Sequence, residues 1–324
     1  MPISNPLKPI LVLVLASLVA GLLSVSIGSS AIGIEDTLRV LAGSGSELQQ
    51  TLILELRLPR TLSAFATGGL LAVAGALMQV LLRNPLADPY VLGLSGGAAV
   101  GALLAMLAGV AGFLVSGSAF AGAMLATLLV FGLAHGSGSW TPSRLLLTGV
   151  VVAAGWGAVI TLILSMTPAS RLPGMLYWLM GDLSHATTPW PGLIILALVC
   201  LLVFPVGRAL NVLARGSLQA AALGVSVRPL EWSIYLMASL LTATAVTMAG
   251  AVGFVGLVVP HMLRLVLGND QRLILPACAL AGGTLLVLAD TLARVVIAPE
   301  QLPVGVITAL IGVPTFLYLL HRSR

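Results

Sequence analysis

The sequence is poor in what a water-facing surface needs. Of its 324 residues 8% are charged and 5% are aromatic, where a soluble globular chain carries roughly 25% charged residues. Hydrophobic residues make up 59% and the mean hydropathy is +1.12. Too few polar groups remain to cover a surface in water, so the chain reads as an integral membrane protein. Lysine is nearly missing, Lys8 being the only one. A phosphate-cradling G-x-x-x-x-G-K-[ST] loop is therefore excluded, and any ATP that drives this protein is hydrolysed by another polypeptide. Cysteine is equally scarce. Cys200 and Cys278 both lie in apolar runs, which reads as inert core rather than a disulfide framework or a metal site. No cofactor is expected. The 15 basic residues are scattered, so the net charge of +5 is no nucleic-acid signal.

What is abundant is glycine, 36 residues, which suits helices packed backbone to backbone in a membrane. A crossing helix needs about 20 mostly apolar residues. Apolar runs between breakers give ten spans, at 9–27, 61–82, 91–108, 112–134, 144–167, 191–207, 230–250, 252–267, 274–297 and 303–320. The N-terminal run admits a signal peptide with Lys8 as its basic start. A retained first span fits better, because the run is long enough to cross and no convincing cleavage site follows. With both termini in the cytoplasm, the inner side holds Lys8, Arg83, Arg144, Arg208, Arg215, Arg228, Arg264, Arg272, Arg322 and Arg324. The outer side holds Arg39, Arg57, Arg60, Arg171 and Arg294. That excess is the positive-inside pattern. The fold class is all-α and polytopic, one transmembrane domain over 1–324.

Residues 93–97 read GLSGG, the G-x-S-x-G of a nucleophile elbow. An elbow needs a strand before it and a His and an acid in reach. Here NPLADPYVL precedes it, and His135, His185, His261 and His321 are dispersed. Gly93, Gly97 and Gly101 instead recur every fourth residue, which predicts a helix-packing stripe. Asp290 is an acid within an apolar run, a candidate for proton coupling. Arg294 follows one turn later in the favourable acid-first order, which favours a structural ion pair near the outer face. His261 follows Pro260, which kinks or starts a helix there, and reads as a structural residue. The basic stretch 207–232 is either a solvated loop or a docking surface made of one or two short helices ending near Gly224. The outer stretch 169–192, with its aromatics and prolines, is an interfacial loop or a re-entrant piece.

Three stretches point one way: RNPLADPYVLGLSGGAAVGA (83–102), LYWLMGDL (176–183), and AGAVGFVGLVVPHMLRLVLG (249–268) followed by LPVGVITALIGVPTFLYLL (302–320). Together they resemble the iron-chelate, heme and cobalamin uptake permeases of bacterial ABC importers of the type II class, over nearly the whole chain, and most of all the heme and cobalamin permeases. The resemblance implies a homodimer in the bacterial inner membrane, surrounded by lipid, with a translocation path on the two-fold axis. It implies two copies of a cytoplasmic ATPase and a periplasmic substrate-binding protein, and no enzymatic activity in this chain. It makes 208–229 the coupling helices, with Ala214, Arg215, Ala221, Leu223 and Gly224 against the ATPase. Arg57, Arg60 and Arg294 match basic residues that dock the binding protein. Asn84 and Leu86 match one cytoplasmic gate, and Pro142 and Ser143 a second, where Pro142 replaces a small hydroxyl residue. Ser165, Met166 and Arg171 fall where the path is lined. Heme permeases often carry an arginine a few residues before the YW pair; here Pro173 stands in that place, with Arg171 two residues earlier and His185 beyond. Heme is the expected cargo, with cobalamin or a ferric siderophore as alternatives.

Overall fold

A computed structural model describes residues 7–28, 32–134 and 141–322; His135 and Arg324 lie outside them. Among the described residues there are helices and no strands. In chain order they are α1 (Leu7–Ser26), α2 (Ile34–Leu41), α3 (Glu47–Gln50), α4 (Leu58–Leu81), α5 (Leu94–Leu107), α6 (Phe113–Ala134), α7 (Pro142–Met166), α8 (Leu172–Met180), α9 (Trp190–Val203), α10 (Gly207–Leu213), α11 (Ser217–Ala222), α12 (Val227–Ala249), α13 (Val255–Leu267), α14 (Gln271–Val295) and α15 (Val304–Arg322).

Each apolar run of the sequence coincides with a helix, but not all are full crossings. Among the described residues six helices are long and apolar enough to span, and α9 with α10 makes a seventh that bends by 73°. The runs at 91–108 and 252–267 form the shorter helices α5 and α13, and the run at 303–320 forms α15, 19 residues long. Backbone breaks explain the first two. Gly93 has φ +73° and ends a 3-10 turn at Pro89–Leu92 before α5 can start. Phe254 has φ +68° directly before α13. The outer polar stretch is also less irregular than composition suggests, since α3 runs through a π-helical segment (Thr51–Arg57) straight into α4.

Helix α4 is the centre. From Thr61 to Leu81 all but Leu62 and Phe65 are buried, against α14, α12, α13 and α9. Small residues make this possible. A Cβ on Gly68 would overlap the Gly282 carbonyl, and one on Gly75 would overlap the Gly256 carbonyl. Pro260 has no N–H, so the Gly256 oxygen four residues earlier loses its helical donor; that freed carbonyl lies against Gly75. Pro260 thus sits inside α13 rather than starting it. Where α12 crosses α6, the Tyr235 hydroxyl donates to the Thr127 carbonyl at 2.8 Å.

The predicted glycine stripe is two-thirds right. Gly97 and Gly101 face Gly122 and Ser118 of α6, where a Cβ would strike their carbonyl oxygens. Gly93 lies outside the helix and faces Ala153 and Trp156 of α7. Ser95 stands in the first turn of α5 after a 3-10 turn, not after a strand, so the elbow geometry is missing. Overpacking costs about 1–3 kcal/mol and more against rigid backbone. Gly97→Leu should therefore lower the melting temperature of the detergent-purified protein clearly, while Ser95→Ala leaves it unchanged; equal melting curves would contradict this packing.

Candidate functional site

The two ends of α4 hold the polar chemistry. We call them outer and inner, following the orientation expected from the charges. At the outer end α4 meets the C-termini of α1 and α14. Asp290, 1% exposed, accepts hydrogen bonds from Arg60 Nη2 at 2.8 Å and Nε at 3.0 and 3.1 Å, and forms an ion pair with Arg294 Nε at 3.1 Å. Arg60 Nη1 also donates to Gln301 Oε1 at 2.7 Å. Charge alone does not balance here, since one carboxylate faces two guanidiniums with a third close by. The last carbonyls of α1 supply the rest. Arg57 donates to Val25 O and Ser26 O at 3.0 and 3.1 Å. Arg294 donates to Ser24 O at 3.0 Å and Ser24 Oγ at 2.8 Å. A helix leaves its last four C=O groups without intrahelical donors, and cations suit that end.

The i,i+4 pair of Asp290 with Arg294 is therefore present as the spacing indicated, and Arg60 joins it from 230 residues away. The outward reading of the three arginines differs from what the structure shows. Arg57 and Arg294 are 8% and 6% exposed, because each guanidinium turns inward to cap α1. Arg60, bonded to the exposed Gln301, stands at the edge of the cluster.

At the inner end α4 stops at Leu82, and Arg83 takes φ +50°. Asn84 Oδ1 accepts from Leu86 N at 2.9 Å, an Asx turn that folds NPLADP back on itself. Leu86 is left 42% exposed. Asp88 Oδ1 then caps the 3-10 turn by accepting from Tyr90 N at 2.7 Å, and the Tyr90 hydroxyl accepts from Val252 N at 3.2 Å. This ties the loop to the segment before α13. Burial pushes the Asp88 carboxyl up to about 6 against the Tyr90 hydrogen bond that favours its charge. Pro142 opens α7 behind the Thr141 cap, and Ser143 is exposed. Gly149, two turns on, lets α7 lie on the Val91 carbonyl, so both candidate gates belong to one packed unit.

The basic stretch after α9 folds into α10 and α11. Ala214, Arg215, Ala221, Leu223 and Gly224 are all exposed. Leu218 and Leu223 are 87% and 71% exposed, apolar knobs on a surface patch that calls for a partner. The path candidates lie at the other end of α7. Met166 is 71% exposed, and Ser165 Oγ returns to Leu162 O at 2.8 Å. Arg171 donates to the Leu107 carbonyl at 2.5 Å, capping α5 rather than standing free. His185 is exposed. One residue of the inner end counts in the sequence only as a cytoplasmic-side charge. Arg264 sits within α13 and donates to Gln79 Oε1 and to Ala76 O. An arginine inside PHMLRLVLG carries the same intramembrane signal as Asp290.

An all-helical arrangement with several helices long and apolar enough to cross a bilayer is that of a polytopic membrane protein. The chain belongs to the FecCD transport family, whose model matches residues 14–322. It is 40% identical to the ABC transporter permease protein YvrB of Bacillus subtilis over 94% of this chain and 90% of that one. It is 43% identical to the cobalamin import permease BtuC of Halobacterium salinarum, covering 85% and 74%. It is 39% identical to the hemin transport permease HmuU of Yersinia pestis, covering 84% and 83%. Among solved structures, an inward-facing metal-chelate type ABC transporter superposes with a TM-score of 0.86 at 29% identity, over 97% of this chain and 99% of that one. The chain is thus the permease subunit of an ABC importer, a multi-pass protein of the bacterial inner membrane. ATP hydrolysis falls to a separate subunit.

Two measurements check the two ends. Removing one partner of a buried ion pair costs about 3–5 kcal/mol. Asp290→Ala should lower thermal stability by that order, and adding Arg60→Ala should restore part of it; simple additivity would remove the coupling. At the inner end the folded carboxyl of Asp88 titrates above its unfolded value of about 3.9. Ionisation is then harder in the folded state, so stability falls as pH rises from about 4 to 6 and is flat above. Asp88→Asn keeps the cap and loses the titration. Its melting temperature should match wild type at pH 4.5 and exceed it at pH 7.5; a constant difference would refute the shift.

Proposed function

We propose that two copies of this chain form an ATP-driven importer that moves heme, or a related bulky metal chelate, from periplasm to cytoplasm by alternating access. The observation that carries this is the bare face of α7. Val150, Val151, Ala154, Gly155, Ala158, Leu162, Ser165 and Met166 are exposed on one long helix with no charge beyond its first turn. A two-fold axis along this face would make an apolar, weakly holding path between copies, suited to a large cargo handed over by a binding protein.

Asn84 and Leu86, with Pro142 and Ser143, are the proposed cytoplasmic gates, and Leu218 and Leu223 the knobs seated in the ATPase. Differential affinity of nucleotide-bound ATPase and of loaded binding protein for the two states supplies the shift between them. On the outer face we assign docking to Arg60 at the rim of the ion cluster, with Arg57 and Arg294 holding α1 beneath it. Proton coupling through Asp290 is disfavoured by its enclosure between two guanidiniums.

Cobalamin is the second reading, and two observations favour it. The cobalamin permease from Halobacterium is more similar than the hemin permease, 43% against 39%. Arg171, the candidate anchor for a heme propionate, is engaged by the Leu107 carbonyl. The test is ATP hydrolysis by the reconstituted permease and ATPase with a hemin-, cobalamin- or siderophore-loaded binding protein. Hemin should stimulate most. Greater stimulation by cobalamin would reassign the cargo and leave the permease reading intact. No stimulation by any loaded binding protein would overturn the importer reading.

A further inference from the structure

A cavity of about 520 Å³ opens at the inner end, between the loop after α4, the α10–α11 turn and the α13–α14 turn. Its walls carry Arg83, Arg215 and Arg264, with Asp270 as the one carboxylate. Asp270 is already engaged. It pairs with Arg272 at 2.7 Å and accepts from Asn211 Nδ2 at 2.9 Å. Those bonds, Arg272 first, hold its carboxyl well below the usual carboxylate range. The three arginines have only neutral neighbours within bonding distance. Arg264 donates to Gln79 Oε1 and Ala76 O, and Arg83 reaches Ser217 Oγ at 3.5 Å. Among the described residues the Arg215 guanidinium makes no hydrogen bond. Glu231 attracts Arg83 electrostatically, but among the described residues no carboxylate comes within ion-pairing distance of any of the three. Gln271 also lines the cavity. It is 2% exposed, and its Oε1 has no donor.

We propose that this cavity binds an anion of the phosphate class. Three guanidiniums from three separate elements supply the donors, and guanidinium matches phosphate oxygens in geometry as well as charge. A phosphate monoester or inorganic phosphate carries up to two negative charges and three or four oxygens, enough to accept from all three guanidiniums. Bound there, the anion would join the gate loop through Arg83, the coupling segment through Arg215 and α13 through Arg264. It would stiffen the contact through which the proposed ATPase stroke reaches Asn84. The binding itself belongs to this chain alone and does not depend on the cargo.

The test is the melting temperature of the full-length permease in detergent, titrated with inorganic phosphate against sulfate and chloride at equal ionic strength. Matching ionic strength removes general screening of surface charge. Phosphate, and sulfate as its tetrahedral analogue, should raise the melting temperature by several degrees beyond chloride. Arg215→Gln, an exposed position, should weaken the apparent affinity at least tenfold. A parallel titration with a short-chain phosphatidic acid, set against a short-chain phosphatidylcholine, separates a lipid headgroup from free phosphate as the source. A response to either phosphate source that Arg215→Gln removes supports the site. No shift beyond chloride from either phosphate source, or a shift that survives Arg215→Gln, would overturn it.

Discussion

The close approach of α4 to its neighbours is the constraint on which the rest depends. In a bilayer, water supplies neither hydrogen bonds nor a hydrophobic driving force between helices, and association rests on packing and polar contacts. Gly68 against Gly282 and Gly75 against Gly256 bring backbones together where any side chain would hold them apart. Once α4 is seated, its two ends are fixed relative to α13 and α14. The outer end then presents Arg57 and Arg60 to Asp290 and the α1 carbonyls. The inner end presents Gln79 and Arg83 to Arg264 and the α10–α11 turn.

This arrangement gives the buried charges a mechanical meaning. A triad of ions in a membrane protein is costly to desolvate and stabilises little relative to apolar packing. Its value lies in direction. Arg57 and Arg294 leave α1 no alternative partners for its last carbonyls, so a helix with a largely exposed surface is held at one end by side chains from α4 and α14. The outer end of α4 is then fixed against both α1 and α14 by side-chain contacts.

Much of this was legible in the residues. Apolar run lengths located every span-forming helix, because membrane crossing is a one-dimensional requirement. The Asp290–Arg294 pair was legible because i,i+4 neighbours meet on any helix. Contacts between distant segments were not. Nothing in LRLPR reveals that Arg57 would turn toward α1 while Arg60 takes Asp290, since both side chains are long and the choice is made by where α1 ends. Likewise the spacing of Gly93, Gly97 and Gly101 is uniform, yet Gly93 falls outside the helix, because the Asp88 cap and 3-10 turn end in a left-handed residue there. Local hydrogen bonds decided against the periodicity.

The resemblance to import permeases named the parts, and the geometry changes what two of them do. Arginines that fit a docking role by position are capping groups by contact, and an inner arginine counted only for its charge lines a polar cavity. Both follow from one rule: a guanidinium inside a membrane protein turns toward whatever acceptors the helix ends leave open. At the outer end those acceptors are the carbonyls of α1, and they are filled. At the inner end Arg264 finds only an amide oxygen and one carbonyl, while Arg83 and Arg215 face the same open space. Among the described residues the two ends of α4 thus differ in whether their arginines meet a carboxylate at ion-pairing distance, as Arg60 and Arg294 do, and the end where Arg83, Arg215 and Arg264 do not is the one that borders the proposed gate.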